Sequence, residues 1–351
     1  MTTTVPNPFD AAMDRLLSGG DLSQETAYAV FSELMDGKVG DVEIGALLTA
    51  LRTKGESADE LVGAARAMQE RATPIVTRHT GLLDTCGTGG DQLHTFNIST
   101  ATALVVAACG VPVPKHGNRG VSSKSGSADV LEQLGVNINL SPTAVSQCLD
   151  QLKIGFCFAP LLHGAMKHAA PVRKRLKFRT IFNFLGPLTN PARAEYQLVG
   201  TGRVQTAEKL ARALSQLGRK RALVVCGADQ LDEVSLWGKT TVFDVRGEHV
   251  AIKEWTASDF GLSECRVEEV QIESAAESAS LIREVYAGKP GAARDLILAN
   301  TAAALLVSER EADLRQGMAT AAAAIDSGAV RRLLDELGKL SNALAASGSS
   351  A

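Results

Sequence analysis

The chain has 351 residues, 45% apolar and 21% charged, with a net charge of −3. That length is enough for two domains with a sizeable core, and the near-neutral charge argues against a broad electrostatic nucleic-acid footprint. No apolar run approaches a membrane span, and the opening Met-Thr-Thr-Thr-Val-Pro-Asn-Pro lacks a cationic segment followed by an apolar one, so no signal peptide is expected. Aromatic residues make up only 4%, so the core must rest on Leu, Val, Ile and Ala. Six cysteines occur, at 86, 109, 148, 157, 226 and 265, and no two have a C-x-x-C spacing. Buried, reduced thiols in a cytoplasmic protein are the expectation, rather than disulfides or a zinc site.

Residues 9–72 read as helices only. Phe9, Met13, Leu16 and Leu17 form one apolar stripe, and Ala27, Val30, Phe31, Leu34 and Met35 form a second at helical spacing. Ile44, Leu47, Leu48 and Leu51 form a third, with Asp41 as the expected N-cap. Ser57 and Glu60 have capping-box spacing before Leu61, Ala64, Ala65 and Met68. Nothing in this region carries catalytic chemistry. Its stripes suit packing against the rest of the chain or a second copy.

Pro74 marks a change of character. From there strand-like and helix-like runs alternate: strands at 82–86, 111–115, 154–159, 197–201 and 221–227, helices at 99–109, 127–134, 143–152 and 205–217. This rhythm predicts a mostly parallel sheet flanked by helices. Residues 240–245 and 249–252 suit a hairpin around Arg246-Gly247-Glu248. Helices are expected at 277–287, 292–307, 309–325 and 329–344, followed by a disordered Ala/Ser/Gly tail. The chain thus divides into a small N-terminal all-helical domain, 1–73, and a larger α/β domain, 74–351.

Two loops fall at the carboxyl edge of that sheet, where such folds bind ligands. The first is Gly87-Thr88-Gly89-Gly90-Asp91, followed by Thr95 and Asn97-Ile98-Ser99-Thr100 at a helix start. It has neither the third glycine of the dinucleotide fingerprint nor the Gly-Lys-Ser/Thr end of a P-loop. Its bare backbone, next to the hydroxyls and amides of a first helical turn, suits an anion. The second is Lys115-His116-Gly117-Asn118-Arg119-Gly120-Val121-Ser122-Ser123, which combines charge, neutral donors and backbone access. Asp232-Glu233, beyond another strand, suits Mg2+ if a phosphate site lies nearby, and otherwise reads as a surface acidic pair. Arg173, Lys174, Arg175, Lys177 and Arg179 form a cationic run, in which one Arg is a candidate for a bidentate carboxylate contact. His163 and His168 read as structural or rim residues.

Together, residues 84–91, 97–100, 115–129, 158–163, 170–173, 179–191 and 231–235 resemble the anthranilate phosphoribosyltransferase family, in order and along the whole chain. The resemblance implies transfer of a phosphoribosyl group from phosphoribosyl pyrophosphate (PRPP) to anthranilate in tryptophan biosynthesis, with two Mg2+ ions and release of pyrophosphate. It also implies a homodimer through the helical domain, which a segment near 164–186 rejoins. Carried over by position, Gly87, Gly90, Asp91, Thr95, Asn97, Ile98, Ser99 and Thr100 hold PRPP, Lys115 to Ser123 close over it, and Ser127 adds a contact. Ser99 with Glu233 binds one Mg2+, and Asp232 with Glu233 the other. Gly87, Asn118 and Arg173 contact anthranilate, with Arg173 on its carboxylate. The family commonly has Leu-Gly-Ile/Val-Arg-Thr where this chain has Leu176-Lys177-Phe178-Arg179-Thr180. A related nucleoside phosphorylase is the first rival; it would leave Arg173 without a carboxylate to bind. A nucleic-acid-binding relative is the second, and the net charge counts against it.

Overall fold

Four amphipathic helices open the chain: α1 (Pro8–Leu17), α2 (Gln24–Met35), α3 (Asp41–Lys54) and α4 (Ala58–Glu70). The structure is a computed structural model that describes residues 8–120 and 124–348. Val30, Phe31, Leu34, Leu47, Leu48 and Leu51 are fully buried, so the stripes face one core. The capping box forms, with the Glu60 N–H donating to Ser57 Oγ at 3.2 Å and the Ser57 N–H to Glu60 Oε2 at 2.8 Å. The expectation for α3 is off by one residue. Gly40 is the N-cap and Asp41 begins the helix, where its carboxylate favours the positive end of the helix dipole.

The second region comprises β1 (Leu83–Gly87), α5 (Ile98–Ala108), β2 (Val113–Gly117), α6 (Ser127–Gln133), α7 (Pro142–Leu152), β3 (Ile154–Phe158), α8 (Ala159–Leu162), α9 (Ala170–Leu176), α10 (Phe182–Leu185), β4 (Tyr196–Gly200), α11 (Val204–Gln216), β5 (Arg221–Cys226), β6 (Thr240–Arg246), β7 (His249–Trp255), α12 (Ala257–Phe260), α13 (Ala275–Tyr286), α14 (Ala292–Val307), α15 (Leu314–Asp326) and α16 (Ala329–Gly348). The main sheet has the order β1-β4-β5-β6-β7. It is parallel from β1 to β5 and closes with the antiparallel β6–β7 hairpin. β2 and β3 form a separate parallel pair beside β1. Asp84 ties the two sheets together: its carboxylate accepts the His116 N–H at 3.0 Å and Asn190 Nδ2 at 2.7 Å.

Alternate residues of the strands feed two cores. Leu223 and Val225 share one core with α5 and α14, while Ala222 and Val224 share the other with α4 and α11. α5 is apolar or small all round, which suits a buried helix, and nine of its residues are buried. Ala169, Val172, Ile181, Phe182 and Leu185 pack into the same apolar cluster as α1–α4. The largest departures from the expected boundaries are at α15 and α16. α15 starts at Leu314 rather than 309, because Asp313 caps it by accepting the Gln316 N–H at 2.8 Å. α16 continues to Gly348, so the tail as far as 348 is helix rather than disordered, and 349–351 lie outside the described residues. No helix among the described residues is long and apolar enough to cross a membrane.

Candidate active site

The site is built where three strands end. β1 closes in Gly87, β4 in Gly200 and β5 in Cys226, followed by Gly227. The irregular segment that carries Asp232 and Glu233 crosses these ends in close contact. A Cβ on Gly200 would overlap the Asp232 carbonyl, and one on Gly87 would stand 2.8 Å from Asp232 Oδ2. Only glycine leaves room there. Asn300 of α14 pins the segment from behind: its Oδ1 accepts the Val234 N–H at 2.9 Å, and its Nδ2 donates to Val234 O at 3.1 Å.

The acid pair meets the first loop directly. Asp232 Oδ2 accepts the Gly89 N–H at 2.9 Å, and Glu233 Oε1 accepts the Ser99 N–H in the first turn of α5 at 3.0 Å. Burial, and then the neighbouring Asp91 carboxylate, pushes Asp232 above the usual carboxylate range; burial, and then Asp232, does the same to Glu233. Lys115 is the cation at hand. It is itself buried, with Nζ 2.5 Å from Thr85 O and 3.4 Å from Ser99 Oγ, and burial pushes it down. Such desolvated carboxylates suit a hard divalent cation. Among the described residues no three His, Cys, Asp or Glu side chains form a metal-binding group.

Asn97 joins the two loops. Its Oδ1 accepts Ser125 Oγ at 2.7 Å and Ser278 Oγ at 2.8 Å, and its Nδ2 donates to Ser125 O at 3.1 Å. Thr95 bridges antiparallel to Gln271. Ile98 is core, and Thr100 is buried with no partner for its hydroxyl among the described residues.

The second loop's charged side chains already have partners within the fold. His116 is buried, its Nδ1 donating to Gly186 O at 3.0 Å, and its Nε2 lies 3.1 Å from Nε2 of the buried His163. Burial pushes both imidazoles down, His163 to about 3. Arg119 donates from Nη1 to Glu132 Oε2 at 2.7 Å and from Nη2 to Glu132 Oε1 at 2.8 Å, and reaches Asp129 Oδ1 at 2.9 Å. Lys124 pairs with Glu273. At the tip the Gly120 N–H donates to Asp129 Oδ2 at 2.9 Å, Asn118 is exposed, and Ser127 Oγ closes the turn by accepting the Asn118 N–H at 3.2 Å. Val121, Ser122 and Ser123 lie outside the described residues.

The Arg173 guanidinium lies 5.1 Å from the centroid of the Phe182 ring. It is half-buried, burial pushes it down, and no carboxylate pairs with it among the described residues. Lys174, Arg175 and Lys177 are exposed. Lys177 ends α9 in the left-handed region, φ 57°, where glycine is free of strain and lysine is not. This is the position at which the chain departs from Leu-Gly-Ile/Val-Arg-Thr.

Gly200, Asn300 and Ser278 had no place in the sequence reading of the site, and Arg179 entered it only as one member of the cationic run. Gly200 carried a signal, since a glycine at a strand end marks close backbone approach. The other three act through contacts across more than 60 residues that left no local trace.

The architecture, a helical bundle beside an α/β domain with its ligand edge at the strand ends, defines a class of glycosyl-group transferases. Residues 11–72 match the helical bundle domain of the glycosyl transferase family and residues 79–331 its α/β domain. The anthranilate phosphoribosyltransferase of Symbiobacterium thermophilum is 46% identical over 336 residues, covering 96% of this chain and 98% of that protein. The crystal structure of the Thermus thermophilus enzyme superposes with a TM-score of 0.89 at 38% identity, covering 94% of this chain and 99% of the other. The Saccharomyces cerevisiae enzyme in complex with PRPP and Mg superposes with a TM-score of 0.87 at 27% identity, over 96% and 98%. The chain belongs to the anthranilate phosphoribosyltransferase family.

Proposed function

We propose that this protein transfers the phosphoribosyl group of PRPP to the amine of anthranilate, giving N-(5-phosphoribosyl)anthranilate and pyrophosphate in tryptophan biosynthesis. The observation that carries this reading is the meeting at one sheet edge of the first loop's amides, the first turn of α5 and the half-buried Asp232–Glu233 pair. Loop amides and a helix N-terminus suit an anion, and the acids suit the cation that accompanies a pyrophosphate.

Gly87, Gly90, Asp91, Thr95 and Asn97 to Thr100 hold PRPP, the second loop covers the ribosyl phosphate, and Ser127 fixes the base of that cover. Ser99, Asp232 and Glu233 would hold two Mg2+ ions, which supply charge neutralisation to the departing pyrophosphate. The loop amides stabilise the same developing charge. Arg173 holds the anthranilate carboxylate in a two-pronged contact, with Gly87 and Asn118 at the ring's other edge. The aromatic amine is a neutral nucleophile near pH 7, so no strong base is needed before attack, and alignment with C1 supplies much of the rate. This agrees with a site in which both nearby histidines are buried and already hydrogen-bonded to one another.

Residues 1–73, joined by 164–186, form one unit through which two copies pair, and light scattering at the mass of a dimer is the expected result. We place the reaction in the cytoplasm, in keeping with six free cysteines. The test of function is incubation with anthranilate, PRPP and Mg2+ while anthranilate fluorescence is followed. Loss of signal is expected, and a constant signal rejects the reading.

A further inference from the structure

Arg179 takes no part in the site as described so far, yet it grips the first loop. Its backbone is set between Lys177, the left-handed end of α9, and Thr180, whose N–H donates to Asn183 Oδ1 at 2.9 Å. The guanidinium then reaches across to two successive carbonyl groups, Nη1 to Gly89 O at 2.7 Å and Nη2 to Thr88 O at 2.9 Å. A planar fork can fix two peptide planes at once, where an ammonium group offers a single point.

Those planes determine where the loop's amides face. Within a planar trans peptide the C=O and the following N–H point in opposite directions. Thr88 O drawn toward Arg179 turns the Gly89 N–H away from it, and that N–H meets Asp232 Oδ2 at 2.9 Å. Gly89 O drawn toward Arg179 turns the Gly90 N–H away in the same manner. Gly90 must itself be glycine, because its φ is 85° and a Cβ there would overlap Arg179 Nη1. No carboxylate forms an ion pair with Arg179 among the described residues, so its observed acceptors are the two loop carbonyls.

We propose that Arg179 is a positioning residue for the donor substrate: by holding the Thr88 and Gly89 carbonyls it aims the Gly89 amide at the metal-binding acid and the Gly90 amide at the pyrophosphate. The inference rests on the reading of the first loop as the donor site. The hold comes from the same short stretch that carries Arg173.

The experiment is steady-state kinetics of the full chain with Mg2+, PRPP and anthranilate, for the wild type, Arg179→Ala and Arg179→Lys, with melting temperatures measured in parallel. Loss of two charge-assisted hydrogen bonds predicts that Arg179→Ala raises the KM for PRPP about tenfold or more, while the KM for anthranilate moves less than about threefold. Arg179→Lys keeps the charge but not the fork, and recovers only a minor part of the loss. An unchanged PRPP KM in Arg179→Ala overturns the inference, as does full recovery in Arg179→Lys, or equal damage to both KM values together with a lowered melting temperature. If Arg179→Ala fails to fold, Arg179→Lys decides alone by the same PRPP KM criterion. Inactive wild-type enzyme would reject the functional reading instead, so the two failures are distinguishable.

Discussion

The two loops at the sheet edge use opposite means. The second has the richer sequence, with Lys115, His116, Arg119 and Lys124, but the fold commits each of these side chains elsewhere: Lys115 to Thr85 O, His116 to Gly186 O, Arg119 to Glu132 and Lys124 to Glu273. The first has no cationic side chain between Gly87 and Asp91, yet its amides and carbonyls are held from two sides, by Asp232 and by Arg179. Charge written in a sequence is therefore a poor guide to charge offered to a ligand. A bare backbone clamped from distant elements makes the better anion site, because its dipoles are aimed in advance and need no reorganisation.

Breaking the acid pair should have the largest effect. Asp232→Ala combined with Glu233→Ala is expected to lower kcat by roughly a thousandfold or more, since a bound metal is worth several kcal/mol of charge stabilisation; a mild loss in the fluorescence assay would remove the metal proposal. Next comes Arg173→Ala. A truncated charge pair costs on the order of 2–4 kcal/mol, so kcat/KM for anthranilate should fall by about 30- to 1,000-fold with little change in PRPP binding. Equal loss of affinity for both substrates by calorimetry would refute the assignment. Arg119→Ala sharpens the contrast between the loops. With its guanidinium already paired to Glu132 and Asp129, its removal should change the KM for PRPP by less than about fivefold, a smaller effect than that of Arg179→Ala. A larger effect would mean that Arg119 leaves its carboxylates to meet the substrate.

The smallest effect concerns the base of the second loop in acid. Burial, and then His116, holds His163 at about 3, below the ordinary histidine value of about 6.5. The fold favours the neutral ring, so this contribution is intact above about pH 6.5 and declines progressively as pH falls toward 3. Melting temperature should decline from pH 7.5 to 5, and His163→Gln, which can still donate to His116, should flatten that decline. An unaltered slope in the variant would place the acid sensitivity elsewhere.

Much of the fold could be read from local patterns. Val30, Phe31 and Leu34 announced α2 by spacing alone, and Ser57 with Glu60 announced the start of α4. The strand runs that end in Gly87 and Gly117 placed both loops at the sheet edge before any pairing was known. The β6–β7 hairpin was legible around Arg246-Gly247-Glu248, but spacing does not encode which strands pair, so its antiparallel docking on β5 at the end of a parallel sheet came only from the fold. The same limit hid the hold of Asn300 on Val234 and the reach of Arg179 to Gly89. Each is a contact between segments far apart in sequence, and each residue alone reads as a helix polar group or one more charge in a basic run. The left-handed φ of Lys177 was also invisible locally, since residues other than glycine adopt it only rarely.

The most direct test of the division between the loops is a crystal structure of the protein with PRPP and Mg2+ bound. The account predicts pyrophosphate against the amides between Gly87 and Asp91, metal at about 2.1 Å from oxygens of Asp232 and Glu233, and Arg179 still on the Thr88 and Gly89 carbonyls. Pyrophosphate seated instead on Lys115 and Arg119, with the first loop empty, would contradict it.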